Sequence, residues 1–241
     1  MTLKYQDKIK GVDLKCTKKK SNGIPKYFRN ALTVVMFVDN KFMNFKLSHN
    51  GKFQITGAKC IENAIHCVQI FWDIIKGWDN VYNFSNGDTD FGVVFVTVMT
   101  NIDFNVGFKI DRSKLDMFIN SNTQYNSLLE MSFGYTGVNI KFPIRNNINH
   151  NLPRFIYKDG SWIEDCVTYV DYIASRPQLE RNKENNKKRF NTFLVFHSGN
   201  VIMSGIMKEH MRYHYNIFMG ILLNNREELE EKLIEGKPLN T

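Results

Sequence analysis

The chain has 241 residues, 43% of them apolar, and a formal net charge of +8. It is long enough for one large domain or two small ones, and its basic surplus favours a polyanionic partner. No apolar run reaches the roughly 18 residues of a membrane span, and the polar opening MTLKYQDKIKGVDLKC has no apolar signal core, so an intracellular protein is expected.

Residues 1–26 are polar and end in the turn signal SNGIP. Residues 28–38, FRNALTVVMFV, are rich in β-branched residues and predict a strand; Asp39-Asn40 predicts a tight turn. Two further strands, Phe42 to Leu47 and Lys52 to Thr56, flank the turn Ser48-His49-Asn50-Gly51. A helix follows, with Ile61, Ala64, Ile65, Val68, Phe71, Trp72 and Ile75 on one face and Gly77 as its C-cap. Residues 78–90 read as a linker. Phe91 to Phe104 is one long strand candidate, residues 111–120 a short helix capped by Asp111, and Tyr135 to Phe142 another strand. Residues 143–189 form an insertion with a periodic piece, Trp162 to Ile173, and a charged tail. Strand, turn and strand then return, and a long helix is expected over 207–234.

One phrase occurs twice. NFKLSHNGKFQITG (44–57) and TFLVFHSGNVIMSG (192–205) share Phe45/Phe193, His49/His197, Gly51/Gly199 and Gly57/Gly205 at a constant offset of 148 residues. So long a period is not a solenoid. It predicts a duplicated half-domain with approximate two-fold symmetry, the following helices matching at the same offset (Ile70/Phe218, Phe71/Met219, Ile74/Leu222, Ile75/Leu223). The expected division is a first repeat over 1–80, short of an opening strand and helix, and a second over 81–241 that carries the insertion. Hairpin-paired strands followed by helices argue α+β with an antiparallel sheet. TFLVF (192–196) and FGVVFVTV (91–98) look apolar on both faces, so the face away from the helices needs some other cover. Flat apolar sheet surface with basic charge is a combination used by minor-groove DNA proteins.

Asn50 to Lys59, NGKFQITGAK, and Phe196 to Gly205, FHSGNVIMSG, are similar to the phrase I-F-x-S-G-K-x-V-x-T-G-A-K. That phrase precedes the long helix of each repeat in the TATA-box-binding protein family. The chain resembles this family over roughly residues 27–76, 94–142 and 189–223, and most of all its divergent members in large DNA viruses. The resemblance implies a saddle-shaped antiparallel β-sheet built from two pseudo-symmetric repeats, with helices on the convex face. It implies a non-enzymatic transcription initiation factor that binds and bends AT-rich double-stranded DNA through the minor groove. Wedge side chains are then expected at Phe28, Tyr135 and Phe196. The fourth wedge falls on Ser48 in strict register, or on Leu47 if the turn is one residue longer. Thr56 and Ser204 are expected at base edges, and the family's central asparagine falls near Met99 or Thr100, with Asn101 close by. The alternative is a protein-interaction adaptor of a viral transcription complex, docking through the insertion. Implied partners are DNA, a transcription factor IIB-like protein and RNA polymerase; implied locations are a cytoplasmic viral factory, the nucleus or the virion.

Each singled-out residue also has a plain structural role open to it. Phe28 and Phe196 suit a sheet core, and Thr56 and Ser204 suit a strand end. Cys16, Cys60, Cys67 and Cys166 form no CxxC pair and read as reduced thiols. His210 and His214 stand at i, i+4 without the glutamate of HExxH or an evident third ligand, so no metal is expected. His49 and His197 sit at matching turns, facing solvent or a phosphate. No P-loop, GxSxG or dinucleotide fingerprint is present, and Asp103, Asp111 and Asp116 form no catalytic pair, so neither a cofactor nor enzymatic chemistry is expected.

Overall fold

Asp39 and Asn40 take left-handed backbone, with φ of 50° and 58°, and the chain reverses there in two residues. The structure is a computed structural model that describes residues 1–5, 8–11, 30–78, 80–82, 90–129, 137–144 and 149–232. Its contacts fall into two units, Met1–Phe95 with Ile156–Ile163, and Val96–Phe155 with Glu164–Thr241. The class is α+β with antiparallel sheets.

In the first unit, β1 (Thr2–Tyr5), β2 (Lys8–Gly11), β3 (Ala31–Val38), β4 (Lys41–Ser48) and β5 (Phe53–Thr56) form one sheet in the order β2-β1-β3-β4-β5. Alternation assigns the faces. Val34, Met36, Val38, Met43 and Phe45 are buried against α1 (Ile61–Ile75), which contributes Cys67 and Phe71 to the same cluster. The expected helix stripe is the buried one for Ala64, Ile65, Val68, Phe71 and Trp72. The helix ends through Lys76 in right-handed backbone, not through a left-handed Gly77. Asp39 is tied to the helix: Asn63 Nδ2 donates to its Oδ2 at 3.0 Å, and His66 Nδ1 lies 3.0 Å from the same oxygen. These two partners hold the Asp39 carboxyl below its ordinary pKa. Residues 1–26, expected to be too polar for an opening strand, supply β1 and β2, which pair on the β3 side. Among the described residues no strand pairs with the outer edge of β5.

The long strand expected over 91–104 is two strands in two sheets. β6 (Phe91–Val94) belongs to the first unit, whereas β7 (Thr100–Asn105) opens the second unit's sheet. Part of the expected linker is structural: Trp72 meets the rings of Tyr82 at 5.0 Å, Phe91 at 4.7 Å and Tyr157 at 5.3 Å.

The second unit continues with α2 (Arg112–Asn122), β8 (Asn126–Leu129) and β9 (Gly137–Pro143). Asp111 caps α2 as expected, its Oδ1 accepting from Lys114 N at 3.1 Å. The insertion consists of the hairpin β10 (Asn151–Lys158) and β11 (Ser161–Thr168), then α3 (Tyr169–Ala174) and α4 (Gln178–Asn185). The periodic piece over 162–173 is therefore divided between a strand and a helix. Ile144 N donates to Arg189 O at 3.0 Å, so the insertion leaves and rejoins the sheet at neighbouring residues. β12 (Phe190–Phe196) and β13 (Asn200–Gly205) complete a sheet ordered β7-β13-β12-β9-β8. The long helix predicted to 234 breaks at Asn225 into α5 (Lys208–Asn224) and α6 (Arg226–Leu229).

Both repeated phrases fold into hairpins of one register. Asn44 pairs with Thr56 and Thr192 with Ser204; Phe45 pairs with Ile55 and Phe193 with Met203. Each turn closes alike, Gly51 N on Ser48 O and Gly199 N on Phe196 O, both at 3.0 Å. Gly199 is required at its position, because φ is +80° and a Cβ would lie 2.3 Å from Phe108 O. The helices, however, do not keep the offset of 148. α1 begins at Ile61 and α5 at Lys208, and the buried residues Ala64, Cys67 and Phe71 correspond to Met211, His214 and Phe218 at 147. The connection after the hairpin is one residue shorter in the second unit.

Phe193 is fully buried and stacks on Phe218 with centroids 4.2 Å apart. Phe193→Ala is expected to cost about 3–5 kcal/mol in denaturant unfolding. Cys67 is buried, and burial, then the Asp39 carboxylate, pushes its thiol up to about 11. An alkylating reagent at neutral pH should label exposed Cys60 and Cys166 in the folded protein and spare Cys67, by peptide mass mapping.

Candidate nucleic-acid interface

Helices cover one face of each five-stranded sheet, and the alternation that buries that face sends the intervening residues to the other. In the second sheet the open face carries Thr192, Leu194 and Phe196 from β12, with Ile202 and Ser204 from β13. Pairing aligns them in rows: Asn101, Ser204, Thr192 and Lys141 in one, Asp103, Ile202, Leu194 and Asn139 in the next. The face expected to be apolar is thus a mixed one, aliphatic in its middle and amide- and hydroxyl-bearing around it. In the first sheet the open face carries Val35 and Phe37 from β3, Phe42, Asn44, Lys46 and Ser48 from β4, and Gln54 and Thr56 from β5. Phe37 and Phe42 are directly paired, with centroids 5.0 Å apart, and are 60% and 59% exposed.

Phe196 and Ser204 stand on the open face of the second sheet, and Thr56 on that of the first. Leu47 does not. It follows Met43 and Phe45 at every second residue and packs against the first unit's core. The two turns have equal length, so Ser48, not Leu47, is the counterpart of Phe196. Phe28 and Tyr135 lie outside the described residues.

The small hydroxyls have different partners. Thr56 Oγ1 donates to Asn44 O at 3.2 Å, a contact within its own hairpin. Ser204 Oγ donates to Asn101 Oδ1 at 2.8 Å, so a hydroxyl and an amide from neighbouring strands form one polar unit. The family resemblance put the central asparagine near Met99 or Thr100, with Asn101 close by. The strand register puts Asn101 on the open face beside Ser204, while Thr100 points to the opposite side. The sequence signal for this face is the alternation of Asn101, Asp103 and Asn105. Lys141 also lies on this face, its Nζ 6.0 Å from the Phe190 ring centroid. Asp103 is the one carboxylate named in these rows.

The remaining candidates have structural tasks. Asp111 caps α2, and Asp116 Oδ1 accepts from Ser127 Oγ at 2.5 Å. His197 Nε2 lies 2.5 Å from Glu231 Oε2, whereas its counterpart His49 is exposed. His214 is buried, and its Nδ1 lies 2.9 Å from Asn191 Nδ2. His210 and His214 line a cleft of about 310 Å³ with Tyr125 and Tyr213. Among the described residues no three His, Cys, Asp or Glu side chains are grouped to hold a metal ion.

The chain is similar to proteins of large DNA viruses. A protein of Acanthamoeba polyphaga mimivirus named TATA-box-binding protein-like is 29% identical over 185 residues, 68% of this chain and 49% of that protein. Uncharacterized protein 335L of Invertebrate iridescent virus 6 is 26% identical over 220 residues, 85% of this chain and 64% of that protein. The chain therefore spans about half to two thirds of the length of these relatives. No protein-family model matches it, and no solved structure does.

Burial, and then His210, lowers the His214 pKa below its ordinary 6.5. The unfolded chain takes up a proton there that the folded one refuses, so stability falls as pH drops below that value. Thermal unfolding from about pH 8 to about pH 5 should show this decline, and His214→Gln should flatten it.

Proposed function

We propose that this chain is a TATA-box-binding-like transcription initiation protein that grips and bends duplex DNA through the minor groove. The observation that carries the reading is the open face of the second sheet, where Phe196, Leu194 and Ile202 adjoin the Ser204–Asn101 pair. A minor groove widened by bending presents a broad floor and a degenerate set of acceptors, the purine N3 and pyrimidine O2 atoms. Aliphatic side chains fit its floor, a small hydroxyl or amide reaches its acceptors, and an aromatic ring at the margin unstacks a base step and bends the duplex. In this proposal Phe196 is the wedge, the Asn101 amide and Ser204 meet base edges, and Lys141 meets a phosphate. The distant similarity to the mimivirus protein supports the same reading. So does the shared hairpin register, which suits two related repeats. The protein works without catalysis or cofactor, in a viral factory, the nucleus or the virion.

A second reading, an adaptor for a transcription factor IIB-like protein or RNA polymerase, is favoured by Ser48, a residue too small to wedge where Phe196 has its counterpart. An adaptor should hold such a partner in a complex that survives Phe196→Ala.

Gel-shift titrations with AT-rich and GC-rich duplexes at two salt concentrations separate the readings. The DNA reading expects tighter binding to the AT-rich duplex, a steep loss with salt, and at least about tenfold weaker binding by Phe196→Ala. Asp103→Asn should tighten binding about threefold at low salt by removing a carboxylate that faces the phosphates. Absence of any shift at low salt would end this reading.

A further inference from the structure

The insertion is more than a long connection between β9 and β12. It builds a cleft of about 950 Å³ whose lining comes from α3, α4, the segment before β12 and the ends of β8 and β9. Its apolar lining includes Pro143, Val170, Ile173 and Phe190, and Val170 is 54% exposed. Its cations are Arg181, Lys187, Lys188 and Arg189, against the single carboxylate of Glu184. That carboxylate is already engaged: Arg189 Nη2 and the Tyr169 hydroxyl both donate to it, and Arg189 Nη2 also reaches Tyr169 Oη at 3.0 Å. Arg181 donates to the neutral amide of Gln178. Among the described residues no carboxylate pairs with Arg181, Lys187 or Lys188. Three cations thus border an apolar lining with no opposite charge spent on them.

We propose that this cleft docks an acidic segment of a partner polypeptide, one that alternates Asp or Glu with Leu or Phe anchors. Such a segment satisfies both parts of the lining. Its apolar side chains cover Val170, Ile173 and Phe190, and its carboxylates meet Lys187, Lys188 and Arg181. A nucleic acid backbone would meet the cations but leave the exposed aliphatic groups in contact with phosphate and water. The docking does not depend on whether the open sheet faces bind DNA.

The test uses the full chain and a synthetic amphipathic peptide with Leu and Phe on one face and Asp and Glu on the other, followed by fluorescence anisotropy. Micromolar binding is expected, weakened at least about tenfold by Val170→Asp and also by the double change Lys187→Glu with Lys188→Glu. All three positions are at the surface, and thermal melts confirm that each variant folds. Phe196→Ala should leave peptide binding unchanged, which separates this cleft from the DNA-binding reading. No binding at millimolar peptide overturns the proposal. So does binding insensitive to Val170→Asp in which the lysine changes weaken peptide and duplex DNA equally, because the cleft would then be a general polyanion contact.

Discussion

Everything placed on the open sheet faces depends on the register of two hairpins. A strand has a side-chain period of two, so a slip of one residue would send Phe45 and Phe193 to solvent and bring Ser48 and Phe196 into the cores. The slip is prevented twice. The buried face is specified by large apolar groups that fit only in one phase. The turns are specified by Gly51 and Gly199, which adopt φ of +75° and +80° and so set where each strand reverses. Gly199 adds a packing constraint, because the Phe108 carbonyl occupies the space a side chain would need. The surface offered to a partner is therefore a by-product of core packing, and its composition can drift as long as the buried alternation persists.

That freedom explains why the two open faces differ while the hairpins agree. Position 48 is serine and position 196 phenylalanine, yet each closes its turn with the same hydrogen bond. Exposed aromatic surface in the first sheet lies at Phe37 and Phe42, next to the Asp39-Asn40 turn. In the second unit the corresponding turn is replaced by the whole insertion, and Phe190 lines the basic cleft instead. The insertion thus exchanges a two-residue reversal for a second surface with a different chemistry.

Features set by neighbours in sequence were legible from the chain alone. The Asp39-Asn40 turn, the Asp111 cap, the apolar stripe of α1 and the repeated hairpins all follow from local spacing, and the structure contains each of them. Features set by distant partners were not. The stretch 91–104 resembles one strand because its opening run FGVVFVTV is apolar and β-branched, but only the pairing partners reveal that β6 and β7 enter different sheets. Residues 2–5 form a strand because β3 offers them an edge, and residues 8–11 form one because β1 offers the next. Asn101 stands close to the position the family resemblance suggested, but only the ladder to β13 shows that it faces the open side beside Ser204.

The one-residue difference between hairpin and helix has a consequence for the two cores. It sets His214 in the place held by Cys67 in the first unit, and the hairpin offset sets Asn191 in the place of Met43. One unit fills this spot with two soft, self-sufficient side chains; the other uses an amide hydrogen-bonded to an imidazole. Methionine and cysteine can each be exchanged singly for another group of similar volume. An apolar replacement of either member of the polar pair instead leaves the other without its partner beside the cleft that His210 and His214 line. The second core is thereby more sensitive to single apolar replacements at codons 191 and 214 than the first is at codons 43 and 67.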